Sequence, residues 1–272
     1  MEKHIQTLED SPTTFTMIKV PGGTLCYASQ PNYPLSVDDF WMGEVPVTQE
    51  LWEAVMKNNP ARFKSPDRPV ETVSWEDIVE GFLPKLNEET EGIRPAGCAY
   101  RLPYEAEWQY AAQEGANNAS FPYAGAEVLD EVAWYDENSH NLTQPVGLKR
   151  PNCLGLYDMT GNVWEWCADW HAGDFGLPKA SEKPKNAGGI VQKTISRFTA
   201  NKKPTNVIDS PTNALMGQSI RNYTGPSGGQ DRVYRGGSYF YFAVFSRLTF
   251  RYDIHPALRT FDLGFRLVCS PF

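Results

Sequence analysis

The last 42 residues, from Asp231 to Phe272, contain no Lys, Glu, Gln, Met or Trp. Those five types fill 54 of the preceding 230 positions, so about ten would be expected in the tail on the chain's own usage. A preference for strand structure accounts for missing Lys and Glu. It does not account for missing Trp, which strands favour and which is abundant upstream. Other absences are equally useful. No stretch approaches the ~20 consecutive apolar residues that a membrane-spanning helix needs. The first ten residues are polar and lack the apolar core of a signal peptide. The five cysteines (Cys26, Cys98, Cys153, Cys167, Cys269) show no CxxC spacing, and their odd number leaves one unpaired in a monomer. They read as buried or free thiols rather than as a metal or redox site. No Gly-rich phosphate loop, nucleophile elbow or HExxH pair is present. Positive charge is in deficit: the net charge is -8, which argues against nucleic acid as a partner.

The remaining composition is that of a globular chain with enough apolar residues for one sizeable core. Three helices are legible. Thr48 is placed to cap a helix with Leu51, Trp52, Val55 and Met56 on one face. Ser74 and Asp77 have the spacing of a capping box, followed by Ile78, Phe82 and Leu86. A third helix starts near Pro103 and carries Trp108, Ala111 and Ala112. Beyond Gln113 the helical period fades, and Gly, Pro and Asn separate short segments that read as turns and short strands. Residues 172–218 are rich in Lys, Pro, Asn and Ser and read as a long inserted loop region. The whole of 1–272 reads as a single domain, without internal repeats.

Six segments then stand out. They are Pro21–Thr24, Glu44–Thr48, Pro69–Trp75, Arg101–Trp108, Asn152–Trp166, and Arg232–Ser238 answered by Gly264–Arg266. In this order and spacing they resemble the formylglycine-generating-enzyme family of sulfatase-modifying factors. The resemblance covers roughly residues 15–170 and 221–268. It implies an α+β chain with the formylglycine-generating-enzyme-type C-type lectin fold, irregular and low in regular secondary structure. Tyr104 departs from the pattern, which has Thr there to cap the helix; losing that hydroxyl costs about 1 kcal/mol. Large indoles at Trp75, Trp108, Trp164 and Trp166 are expected in the core, and Arg101, Arg235 and Arg266 are expected to pair with carboxylates such as Glu105 and Glu165. The family's enzymes use a copper-binding cysteine pair after the RGGS motif. The matching positions here are Tyr241 and Ser246, which supply no thiolate. Sulfoxide-synthase relatives use an HxxxHxE iron motif, which His4, His140, His171 and His255 do not form. The resemblance therefore implies a protein without catalytic residues and with no required cofactor; the alternative is a related oxidoreductase with an unrecognised site. It also implies a candidate structural calcium, with carboxylates from Asp158 and Glu165 and carbonyls from Gly161 and Val163.

The C-terminal segment carries a second resemblance, to the variable proteins of diversity-generating retroelements. In that family adenines in template codons ending in a pyrimidine are randomised, and such codons cannot encode Met, Trp, Lys, Gln or Glu. The invariant skeleton of such regions is met by Arg235–Ser238, Ala243, Arg247, Arg251, Pro256, Arg259 and Leu263–Arg266. The resemblance marks 235–268 as a variable ligand-binding region. Its contact positions are Tyr239, Phe240, Tyr241, Phe242, Val244, Phe245, Ser246, Leu248, Thr249, Phe250, Tyr252, Asp253, Ile254, His255, Ala257, Leu258, Thr260, Phe261 and Asp262. Side chains that vary cannot also carry the core, because random core substitution costs several kcal/mol. These side chains are therefore expected on one exposed face, with Ala243, Arg247, Arg251, Pro256, Arg259 and Phe265 holding the backbone beneath. The implied partner is a macromolecule or a glycan, met by a monomer that is secreted or held at a cell surface.

Overall fold

A computed structural model describes residues 2–25, 34–115, 121–173 and 219–271. The predicted loop region 172–218 falls almost wholly outside the described residues, as does Cys26. The two ends of the chain meet in one five-stranded sheet. Strands β1 (Lys3–Thr7) and β2 (Thr14–Val20) form an antiparallel hairpin. Next to β2 lies β5 (Phe40–Gly43), then β12 (Val268–Pro271), then β6 (Cys98–Arg101). On β2, Ile18 and Val20 face one core cluster and Met17 faces the other, all fully buried, so both faces of this sheet are covered there. A small sheet of β3 (Gly23–Leu25), β4 (Leu35–Val37) and β8 (Ile220–Arg221) packs beside it.

The second major sheet matters most for function. Its order is β10 (Tyr252–Ile254), β9 (Arg232–Arg235), β7 (Trp164–Trp170) and β11 (Leu263–Phe265). Strand β11 runs parallel to β7, pairing Leu263 with Trp164 and Phe265 with Trp166. The chain leaves this sheet after Arg235 and returns to it at Tyr252 and again at Leu263. Between these points the chain runs mostly in loops, the last of which carries it from the β10 edge of the sheet to the β11 edge.

The three helices form where local chemistry places them. In α1 (Gln49–Met56) the Thr48 hydroxyl accepts the Leu51 N–H, and Leu51, Trp52 and Val55 are buried. The Ser74–Asp77 box is reciprocal: Asp77 Oδ2 accepts the Ser74 N–H at 2.9 Å, and Ser74 Oγ accepts the Asp77 N–H at 3.0 Å. This segment opens with a wide π-helical turn, Asp77–Phe82, before α2 (Leu83–Glu89). Helix α3 (Glu105–Ala112) is buried along its whole length, acids included. At its start Glu107 accepts the Tyr104 N–H at 2.8 Å, the reciprocal arm of a capping box, while the Tyr104 ring lies under Arg101.

The expected indole core is present, with one adjustment. Trp108, Trp164 and Trp166 are buried and their Nε1–H groups are engaged: Trp108 donates to Glu165 and Trp166 to the Val73 carbonyl. Trp75 is only half-buried, with its indole donating to the Cys167 carbonyl at 3.1 Å. Its ring instead stacks on the Arg232 guanidinium, 3.8 Å away, which is held from the other side by Trp170.

A candidate ligand-binding surface at the C-terminal segment

The frame beneath the segment is built from buried ion pairs. Arg235, at the end of β9, is 1% exposed. It donates to Glu105 at 2.9 Å, to the Leu248 carbonyl at 2.6 Å and to the Gln109 side chain. Arg251 grips the same Glu105 through Nε and Nη2 at 2.8 and 2.6 Å and reaches the Ala172 carbonyl. One carboxylate on α3 therefore ties both ends of the loop 236–251 to the body of the protein. Gly237 makes the turn into this loop feasible: its φ is +83°, and a Cβ there would meet Ser246 Cα at 2.8 Å. Further along, backbone bonds from Thr72 to the Thr260 carbonyl and from Glu76 to the Pro256 carbonyl hold the return path. Deeper still, Arg266 is fully buried against Glu165, with bonds to the carbonyls of Gly43 and Tyr157. Arg101 pairs with Glu107 rather than with Glu105 or Glu165.

Above this frame the candidate contact residues divide into three groups. Phe240, Phe242, Val244, Thr249, His255 and Leu258 are exposed. Phe242 is 65% exposed and Phe240 50%, which is unusual for Phe and marks an apolar surface. Tyr241, Phe245, Phe250, Tyr252, Asp253 and Ile254 are half-buried, as are Ala257, Thr260 and Phe261. Their rings form a connected array. Phe240 meets Phe261 at 5.4 Å and Tyr241 at 6.2 Å, Tyr241 meets Phe245, and Phe245 meets Phe250. The array is seated on the core, where Trp164 takes Tyr241 and Tyr252 edge-on at 5.7 and 5.5 Å. Burial raises the Tyr241 hydroxyl to about 12.

The third group corrects the sequence reading. Tyr239, Ser246, Leu248 and Asp262 are buried, so they belong to the frame rather than to the contact face. Tyr239 packs edge-on against Phe63 and donates to the Phe261 carbonyl. Asp262 accepts from Ser238 at 3.0 Å, and burial raises its carboxyl above the ordinary range. Leu248 follows the chain inward because its carbonyl is held by Arg235 and its N–H by the Pro122 carbonyl. The expected anchors are corrected as well. Arg247 and Arg259 are exposed, not beneath the backbone. Arg259 still ties the loop laterally through two bonds of 2.6 Å to Asp77. Arg251, Pro256 and Phe265 do take the supporting positions, and Ala243 packs against Leu129, Ala133 and Tyr135.

The two carboxylates read as calcium ligands are both engaged by protein groups. Both Glu165 oxygens are bonded to Arg266, and one also accepts the Trp108 indole, so a guanidinium already neutralises that carboxylate. Asp158 accepts the Gly147 N–H and the Asn162 amide, and burial raises its carboxyl to about 6. Nearby, the Gly161 N–H is bonded to the Gly236 carbonyl, and Val163 is fully buried in the core. Among the described residues, no three His, Cys, Asp or Glu side chains gather as a metal site. At the positions where relatives carry thiols, Tyr241 is part of the ring array and Ser246 is buried, its Oγ without a hydrogen-bond partner among the described residues. The described cysteines lie elsewhere: Cys98 and Cys269 on the first sheet, Cys167 within β7, and Cys153 on an exposed turn. Burial pushes the Cys167 thiol well above its usual value.

Two further features of the face were not anticipated. Arg62 and Phe63, from a loop far away in sequence, border its Phe261 end. His171 lies 3.6 Å from Asp253 at the other end. No periodicity marks these residues, because both come from irregular loops whose partners lie about 80 or more positions away.

The sheets, the low helix content and the irregular loops define an α+β protein with a C-type lectin-like fold. The model of the sulfatase-modifying factor enzyme 1-like domain matches residues 3–271, and the chain belongs to that family. The chain is 34% identical over 201 residues to the chaperone protein LppX of Paenibacillus barcinonensis, covering 57% of this chain and 72% of that one. It is 32% identical over 177 residues to the formylglycine-generating enzyme of Thermomonospora curvata, covering 60% of this chain but only 50% of the enzyme. Among solved structures, the variable protein 1 of Treponema denticola aligns over 100% of both chains with a TM-score of 0.75 and 28% identity. PvdO of Pseudomonas aeruginosa aligns over 98% of both chains with a TM-score of 0.66 and 22% identity, a likeness of fold alone. The chain thus resembles a retroelement-type variable protein built on a formylglycine-generating-enzyme-type fold.

Proposed function

We propose that the chain is a non-catalytic binding protein whose segment 235–268 presents a contact face diversified by a retroelement. One observation carries this reading: within a single segment, the ion-paired and buried residues form the frame, while adjacent aromatic residues are left exposed. An ordinary core would bury Phe240 and Phe242, and their combined exposure has a cost that binding a partner offsets. Rigid rings give large contact area at low entropic cost, as in antibody loops. The full-length likeness to a variable protein supports the reading, as does a relative named as a chaperone, a role exercised by binding. The partner is a macromolecule or glycan met outside the cell, and the protein acts as a monomer without a required cofactor.

A second reading follows from the enzymes in the family: oxidation chemistry at a site on the same fold. Tyr241 and Ser246 lack the thiols that chemistry uses. The direct test of the binding reading is the coding neighbourhood. It is expected to hold a reverse transcriptase gene and an imperfect, adenine-rich copy of the segment encoding 235–268, with mismatches confined to adenines. A neighbourhood lacking both would remove the retroelement from the account.

A further inference from the structure

Arg62 stands at the border of the contact face but outside the segment 235–268. Its guanidinium carbon lies 5.3 Å from the centre of the Phe63 ring and 5.1 Å from that of Phe261. The backbone that carries it is fixed from below. Glu71, fully buried, accepts the N–H groups of Arg62 and Phe63 at 2.5 and 3.0 Å through one oxygen, and the Thr72 hydroxyl through the other. Phe63 is held in turn by Tyr239, edge-on at 5.6 Å. Arg62 is exposed, and among the described residues its guanidinium makes no hydrogen bond or ion pair. The result is a cation oriented by two rings, with its planar set of donors unused.

We infer that Arg62 is a fixed anion-recognition point, and that the face takes polypeptide partners presenting an Asp or Glu carboxylate beside an apolar side chain. This inference rests on the reading of the C-terminal segment as a contact face. The planar guanidinium matches a carboxylate through two parallel hydrogen bonds. A single guanidinium carries one positive charge and a planar pair of donors, which match a carboxylate monoanion. Next to Arg62, Phe240 and Phe261 offer apolar area for the adjoining side chain. The polar groups around them are turned inward: Ser238 bonds Asp262, the Tyr239 hydroxyl bonds the Phe261 carbonyl, and Thr72 bonds Glu71. A neutral glycan, which needs polar partners beside each stacked ring, finds few here. Because Arg62 and Phe63 lie outside the varying segment, every version of the face keeps the guanidinium and the Phe63 ring beside it, while the varying positions, Phe261 among them, choose what accompanies the acid.

The test uses the whole chain against immobilised peptides in matched pairs that differ only by Glu or Gln next to Leu, Phe or Tyr. A charge-assisted bidentate contact predicts about tenfold tighter binding of the Glu member. Arg62→Gln should erase that preference while leaving binding of the Gln peptides intact. Arg62→Lys should restore only part of it, and Arg221→Gln, at a distant exposed ion pair, should change nothing. Equal binding of the paired peptides, a preference that survives Arg62→Gln, or no peptide binding at all would overturn the inference. So would binding confined to phosphoserine peptides or to oligogalacturonate, included as separate arms. Phe240→Ser separates this inference from the reading beneath it. Loss of all peptide binding in that variant, with an unchanged preference in Arg62→Gln, sinks the arginine's role and keeps the aromatic face. A Glu preference that follows Arg62 but ignores Phe240→Ser sinks the aromatic face.

Discussion

Glu105 and Arg247 show how unevenly the frame is distributed among individual residues. Glu105 is 2% exposed and balances two guanidinium groups, from Arg235 and Arg251. Removing its charge leaves Arg235 buried without a counterion, which costs about 3–5 kcal/mol when a buried pair is broken from one side. Glu105→Gln is therefore expected to lower unfolding free energy by about that amount in urea titrations, whereas Arg247→Ala should stay within about 0.5 kcal/mol of the parent. Comparable losses in both variants would contradict the assignment of anchors. The sequence marked Arg247, Arg251 and Arg259 alike, because all three match one skeleton. Which of them turns inward depends on where Glu105 and Asp77 lie in space, and that depends on packing between segments more than 100 residues apart.

At the scale of elements, local signals were legible and pairings between distant segments were not. The caps at Thr48 and Ser74 act over three residues, so they can be read from the chain directly. The parallel pairing of β11 with β7 joins segments about 100 positions apart and leaves no local signature. The contact of β7 with α3 has a measurable consequence. Asp169, near the end of β7, accepts the Glu105 N–H at 2.7 Å, and its carboxyl is raised to about 8, first by burial and then by the Glu105 charge. A carboxyl whose folded-state value lies above its unfolded one binds more protons when folded. Its contribution is fully present below about pH 4 and is lost as pH rises toward 8. Stability measured by denaturant between pH 5 and 8 should fall with pH, and Asp169→Asn should flatten that slope. An unchanged slope in the variant would place the titrating group elsewhere.

For the whole molecule, the motif frame was legible because it lies in turns and buried pairs that tolerate few alternatives: Trp108 on Glu165, Arg266 on Glu165, Gly237 against Ser246. The contact face was legible as a segment but not residue by residue. Tyr239, Ser246, Leu248 and Asp262 share the composition of their exposed neighbours, and only the path of the loop over α3 and the 58–77 region turns them inward. That division is the centre of the account, and two libraries of the intact chain measure it directly. One randomises Phe240, Phe242, Val244, Thr249, His255 and Leu258; the other randomises Tyr239, Ser246, Leu248 and Asp262. Each is displayed and scored for the fraction of clones that resist protease at 37 °C. Most clones of the first library should resist, and few of the second, because single truncations of large buried side chains already cost about 2–5 kcal/mol. Equal survival of the two libraries, or better survival of the second, would contradict a fixed frame carrying a face that is free to change.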